Sequence, residues 1–299
     1  MNFLLFFCII IFPFKSFSEL RIDITRGNTE PIPLALLKFN NNNAEEQKIS
    51  RDINKVISNN LQRSGLFKIL SSQIFLDKSI GFNQTPTFSN WKLTTSQGLV
   101  HGRLSIKRNN KLILEFRLWD VYSEKQMVAQ QLTTEVGNWR RIAHVISDII
   151  YKRITGESGY FDSRIVYISE SGTKSNRKKR LAIVDQDGEN HKFLTDGSYL
   201  ALTPRFSPAA QEVAYLSYNN KIPRIFILDL STGSQKVLGD FPGMTFSPRY
   251  SPDGKKLVMS LARNGNTDIY EMNLETQKLT RLTKYDGIDT APSYSPDGD

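Results

Sequence analysis

The chain has 299 residues, 39 Lys and Arg against 30 Asp and Glu for a net charge of +9, with 39% hydrophobic and 11% aromatic composition. That length and balance exclude a wholly disordered chain and suit two globular domains, each large enough for its own core. A single cysteine, Cys8, excludes an internal disulfide framework.

The amino terminus reads as an export signal. Phe3 to Phe14 is an apolar run of 12 residues, short of the roughly 20 that a spanning helix needs. Ser16 and Ser18 place small residues before a cleavage point at Glu19, although no Lys or Arg precedes the run. Residues 1–18 are therefore expected to be removed, with no direct membrane insertion of the remainder. Phe6 and Phe7 are too bulky to precede a lipid-modified Cys8. The next segment, Glu19-Leu20-Arg21-Ile22-Asp23-Ile24, alternates charged and apolar residues. Such a two-faced stretch can add as a strand to another protein's sheet, or form the first strand of its own domain.

A strand is expected over Ile32 to Phe39. From Asn43 to Gly65 the apolar residues Ile49, Ile53, Val56, Ile57 and Leu61 recur at helical spacing, with Asn43 and Glu46 as a capping pair and Gly65 as the stop. Ser71 to Ser96 has no clear period and is expected to be a long surface loop. Arg103 to Lys107, Leu112 to Leu118 and Met127 to Thr133 alternate as strands joined by short turns, hence antiparallel. A second helix is expected from Trp139 to Ile154, between a capping Asn138 and a terminating Gly156. Residues 31–158 then make a mixed α/β layer domain.

After Gly156 the pattern changes to a repeat. Pro204-Arg205-Phe206-Ser207-Pro208, Pro248-Arg249-Tyr250-Ser251-Pro252 and Pro292-Ser293-Tyr294-Ser295-Pro296 each follow the last by 44 residues. The same offset links Leu181, Ile225 and Ile269. Four short strands per unit, punctuated by Pro-Asp-Gly turns, are the mark of a propeller blade. The first blade, from near Arg164, lacks an aromatic innermost strand, and Thr290 to Tyr294 reads as an innermost strand with no blade after it. The basic run Lys174, Arg177, Lys178, Lys179, Arg180 lies between two strands and reads as a solvated hairpin tip. No aromatic residues interleave with it, so a nucleic-acid partner is not expected.

Chemistry is sparse. His101, His144 and His191 show no metal-ligand spacing, and no G-x-S-x-G, G-x-G-x-x-G or phosphate-loop motif occurs. Asp185-Gln186-Asp187-Gly188, Asp253 and Asp297 read as turn residues before glycine. No catalytic residue, metal or cofactor is expected. The loops leading into each innermost strand, Ser198 to Thr203, Pro242 to Ser247 and Tyr285 to Ala291, gather at one propeller face, where binding usually occurs.

Glu115-Phe116-Arg117-Leu118-Trp119-Asp120-Val121, Arg153-Ile154-Thr155-Gly156-Glu157 and Phe161-Asp162-Ser163-Arg164-Ile165, with the order signal, small α/β domain, propeller, resemble the TolB family, the periplasmic component of the Tol-Pal system of Gram-negative bacteria. The resemblance covers essentially the whole mature chain. It implies an α+β protein in which residues 160–299 form roughly the first three blades of a six-bladed-type propeller. It further implies a periplasmic scaffold without enzymatic activity, serving envelope integrity and cell division. Residues 19–30, with Glu19, Leu20, Arg21, Ile22, Asp23 and Ile24, would engage a TolA-like inner-membrane protein. Met244, Ser247 and Thr290 would contact a Pal-like outer-membrane lipoprotein. The rival reading is a propeller-containing periplasmic hydrolase or carbohydrate-binding protein whose active part is absent. A sugar binder would need exposed aromatics at repeat-equivalent positions, where Phe206, Tyr250 and Tyr294 stand.

Overall fold

The computed structural model describes residues 30–298 except 220, 221, 240 and 242, and they fall into two units that divide between Asp162 and Ser163. The expected signal and the segment Glu19 to Ile24 lie outside the described residues.

The first unit is built on a five-stranded sheet. Its strands are β1 (Ile32–Leu36), β2 (Phe67–Ile69), β3 (Gly98–Ile106), β4 (Lys111–Asp120) and β5 (Lys125–Glu135), in the order β2-β1-β3-β4-β5. β1 runs parallel to both neighbours, while β3, β4 and β5 form an antiparallel meander. β1 ends before the expected Phe39, and three-residue β2 is too short to show alternation in the sequence. Along β4 the alternation does its expected work: Leu112, Leu114, Phe116 and Leu118 are fully buried beneath two helices. Those helices are α1 (Ala44–Arg63) and α3 (Trp139–Thr155), which present Ile53, Ile57, Leu61, Ile146, Ile150 and Ile154 to the same core. A buried polar link joins them, since Asn60 Nδ2 lies 2.9 Å from His144 Nδ1 and donates to Ser147 Oγ at 3.0 Å.

The opposite sheet face carries a second core that the sequence pattern did not reveal. Residues 71–96 are not a surface loop. They contain α2 (Phe88–Leu93) and a short 3-10 turn, and they bury Phe75, Ile80, Phe88 and Trp91 against Leu37, Leu99, Trp119 and Val121. The rings lock edge-on, Phe75 to Trp91 at 5.1 Å and Phe88 to Trp119 at 5.7 Å. These anchors are spaced irregularly because each fills a separate gap, so neither the strand nor the helix period appears.

The ends of α1 follow expectation, and the start of α3 does not. Asn43 is extended at the α1 N-cap and its Oδ1 accepts from Glu46 N at 2.9 Å. Glu46, 2% exposed, reaches one residue past the cap, its Oε2 accepting from Asn42 N at 2.7 Å and its Oε1 from Ile106 N at 2.8 Å. The same carboxylate thereby ties the start of α1 to the end of β3. Asn138 does not cap α3 with its side chain. A 3-10 turn over Val136–Asn138 leaves it at φ −99°, ψ 19°, outside the extended geometry that aims a cap at the first helical N–H groups. Gly156, at φ +82°, does end the helix in the left-handed conformation.

The second unit consists of blades. The first has β6 (Arg164–Thr173), β7 (Asn176–Asp185) and β8 (Lys192–Phe193). Its β6–β7 hairpin tip holds the basic run, partly offset by ion pairs from Arg177 and Lys179 to Glu170. The next two are four-stranded meanders: β9 (Ala201–Phe206), β10 (Glu212–Ser217), β11 (Arg224–Asp229) and β12 (Gln235–Val237), then β13 (Met244–Tyr250), β14 (Lys256–Arg263), β15 (Asn266–Asn273) and β16 (Leu279–Arg281). The middle sheet is buried on both faces. Val213, Tyr215, Phe226 and Leu228 pack toward Leu181 of the first blade, while Ala214, Ile225 and Ile227 pack toward Leu257 and Met259 of the third. Thr290 to Tyr294 forms no strand, since among the described residues no neighbouring strand completes a ladder with it. It lies instead against the third blade, with Ala291 N donating to Ser260 Oγ at 3.1 Å and Tyr294 Oη to Glu271 Oε2 at 3.0 Å.

Two expected outcomes follow from the first unit. Glu46→Ala removes the acceptor of the part-buried Asn42 and Ile106 N–H groups and should cost about 1 kcal/mol in urea unfolding, whereas a cost of a few tenths would show that water replaces the carboxylate. His101, 1% exposed, accepts from Trp119 Nε1 at 2.9 Å, and burial, aided by the charge on Arg117, lowers its pKa from 6.5 to about 4. The unfolded chain takes up a proton near pH 6.5 that the folded chain refuses until about pH 4. This contribution is therefore fully present above pH 6.5 and is lost as pH falls toward 4. His101→Gln should flatten the stability profile in that window, and superimposable profiles would contradict the assignment.

Candidate partner-binding face of the propeller

The loops leading into the innermost strands share a backbone device. Thr203, Ser247 and Ala291, each 44 residues apart, hold φ of +45°, +55° and +57°, and each precedes a proline. Left-handed backbone is costly for a residue with a Cβ, and a following proline restricts it further toward extended geometry. In the two paired blades the sheet register shows what holds it there. Thr203 and Pro204 together oppose Tyr215, and Ser247 and Pro248 together oppose Met259, so each forms a β-bulge. The bulge leaves no ladder bond for the proline to break.

Three residues before each left-handed residue the repeat exposes an apolar side chain. Leu200, Met244 and Ile288 stand 44 residues apart and are 37%, 46% and 74% exposed. Tyr199 and Tyr285 are exposed on the same loops. Gly243 lets β13 begin where it does: at φ +106°, a Cβ there would meet Ala262 O at 2.1 Å. Just inside the loop, buried Thr245 accepts at Oγ1 from Ile225 N at 3.2 Å, fastening the start of β13 to the preceding blade. Thr195 and Thr283 accept the equivalent bond from Leu181 N and Ile269 N within their own blades. The repeat has Gly239 at the corresponding position, so Thr245 supplies the hydroxyl from the neighbouring strand.

Of the residues expected to contact a partner, Met244 and Thr290 are exposed and Ser247 is half-buried at the bulge itself. Thr290 matches Phe246 in the repeat rather than Ser247, so the three positions are not equivalent. Leu200 and Ile288 lie within the expected loops Ser198 to Thr203 and Tyr285 to Ala291, where the 44-residue offset from Met244 singles them out. Below the bulge the aromatic positions turn inward. Phe206 and Tyr250 pack into the inter-blade cores and offer no exposed platform for a sugar ring. The Pro-Asp-Gly carboxylate is likewise used locally. Asp253 accepts from Ser251 Oγ at 2.6 Å and Lys255 N at 3.0 Å, and the bond from Ser251 is the main cause holding its pKa below the usual carboxylate range.

Tyr250 and Tyr294 differ in one respect. Tyr294 Oη reaches Glu271, whereas the residue 44 positions before Glu271 is Ile227, and Tyr250 Oη is buried with no hydrogen-bond partner among the described residues. Burial holds the Tyr250 phenol protonated, its pKa well above the ordinary value.

Known proteins match both units. A family profile described as the TolB amino-terminal domain matches residues 20–127, and one described as the TolB beta propeller domain matches residues 151–299. A Tol-Pal system protein TolB of Paramagnetospirillum magneticum is 52% identical over 206 residues, covering 69% of this chain and 46% of the relative. That of Pelagibacter ubique is 50% identical over 228 residues, covering 73% and 51%. The chain thus spans about half the length of these curated relatives. The crystal structure of TolB from Acinetobacter baumannii superposes with a TM-score of 0.77 at 31% identity, over 94% of this chain and 67% of that one.

The unpaired phenol makes a clear prediction. Tyr250→Phe, which restores the residue type found at Phe206, should leave stability unchanged or raise it by up to about 1 kcal/mol, because a buried hydroxyl without a partner is removed. A loss above that size in chemical denaturation would mean that the hydroxyl is bonded in solution.

Proposed function

The chain belongs to the TolB family, and from that premise we propose that it is a periplasmic binding scaffold of the Tol-Pal system with no catalytic activity of its own. Residues 1–18 direct export and are removed at Glu19. The segment Glu19 to Ile24 adds as a strand to a TolA-like inner-membrane protein, its alternating side chains lying on two faces of the added strand. The propeller loops carrying Met244, Ser247 and Thr290 seat a Pal-like lipoprotein of the outer membrane.

The observation that carries this reading is the row of exposed Leu200, Met244 and Ile288, each three residues before a left-handed residue that precedes a proline. Apolar side chains held at fixed spacing by a stiff backbone lose little freedom on binding, so more of their burial energy appears as affinity. They also differ from the rest of the blade loops, where the Pro-Asp-Gly turns are polar and internally bonded. No helix among the described residues is long and apolar enough to cross a membrane. If the partner on the propeller prefers one disposition of the amino-terminal segment, the second partner is affected by the same factor, because coupling between binding sites is reciprocal.

Leu200→Asp with Met244→Asp should weaken binding of the soluble domain of a Pal-like lipoprotein at least about tenfold in calorimetric titration, with the circular dichroism spectrum unchanged. Removing residues 19–30 should abolish binding of a TolA-like carboxy-terminal domain and spare the lipoprotein. Equal affinities for the parent and both altered chains would refute the assignment of these surfaces.

A further inference from the structure

Arg205 and Arg249 occupy equivalent positions one repeat apart, directly after the bulge prolines, on the adjacent innermost strands β9 and β13. Both are half-buried. Each guanidinium folds back on its own strand, Nη1 of Arg205 donating to Pro204 O at 2.7 Å and Nη1 of Arg249 to Pro248 O at 3.0 Å. The bulge explains this contact, since it turns the proline carbonyl out of the ladder. One donor anchors each guanidinium, and the remaining N–H groups have no acceptor among the described residues.

Two like charges gathered in partly buried surroundings are normally offset by a carboxylate, and among the described residues none is paired with them. Ion pairs among the described residues of the second unit include those of Arg177, Lys179, Lys256 and Arg281, and none involves Arg205 or Arg249. Glu212, whose charge reaches Tyr250, makes no ion pair with either arginine. The two guanidiniums sense one another, because burial and then the charge on Arg205 lower the Arg249 pKa. Guanidinium is the group best shaped to take an oxyanion through two parallel bonds. The third repeat has Ser293 at this position, so the cationic pair is confined to the two blades.

We propose that Arg205 and Arg249 together form an oxyanion site at the inner strands of the propeller, taking a carboxylate or phosphate. This goes beyond the scaffold reading, since a small anion needs no protein partner. The carboxylate could be that of a free acid or that of an acidic side chain on a docked protein, and the two sources separate experimentally.

The test uses the full chain at low ionic strength, titrated calorimetrically with succinate and with inorganic phosphate. Arg205→Gln with Arg249→Gln should weaken binding of at least one anion by tenfold or more, while Arg205→Lys with Arg249→Lys retains part of it and Arg263→Gln retains all. Near-ultraviolet circular dichroism identifies any variant that fails to fold, in which case the lysine pair carries the comparison. Given that loss, the glutamine pair is next titrated with the lipoprotein domain. Weakened affinity assigns the site to a partner's carboxylate, and unchanged affinity assigns it to a free anion. Absence of anion binding to the parent chain, or equal binding in parent and glutamine pair, would overturn the proposal.

Discussion

A residue before proline avoids the left-handed region unless something compels it, yet Thr203, Ser247 and Ala291 all occupy it. Each such position costs on the order of 1–3 kcal/mol, so the surrounding contacts must outweigh it. In the two paired blades those contacts are the ladder bonds on either side of the bulge and the packed sheet beneath. The bulge shifts the side-chain phase of the innermost strand. Residues after it, Phe206 and Tyr250, fall into the cores between blades, while Leu200 and Met244 before it stay in solvent. One backbone device thus separates the part of the strand that stabilises from the part that can recognise.

The blades are held differently from the first unit. A blade cannot bury both its faces alone, and the middle sheet does so only by sharing alternate residues with its two neighbours. The first unit closes its own cores. Helices α1 and α3 cover one sheet face and the anchors Phe75, Phe88 and Trp91 fill the other. The buried Glu46 carboxylate shows how this is made specific, since it satisfies a helix start and a strand end together.

How much of this could be read from residues depended on periodicity. The helix over Ala44–Arg63, the meander and the blades carried a repeating signal at 3.6, 2 or 44 residues, and each was legible. Phe75, Ile80, Phe88 and Trp91 carried none, because each fills a separate gap, so a second core passed for a loop. Asn138 has the right side chain for a cap but the wrong backbone, which only the preceding 3-10 turn explains. Thr290 to Tyr294 has the residues of a strand, and strand formation needs a partner that side chains alone do not supply. At the candidate face Met244, Ser247 and Thr290 came from resemblance, Leu200 and Ile288 were legible through the 44-residue repeat, and the left-handed backbone of Thr203, Ser247 and Ala291 shows only in the fold.

The central claim is that the repeat-equivalent loops act as one recognition face. Amide hydrogen exchange on the full chain, with and without the soluble domain of a Pal-like lipoprotein, tests it most directly. The account predicts that residues 200–203, 244–247 and 288–291 slow together, while amides of the sheet over residues 98–135 keep their rates. Slowing confined to the outer strands Gln235–Val237 and Leu279–Arg281, or to the first unit, would contradict it.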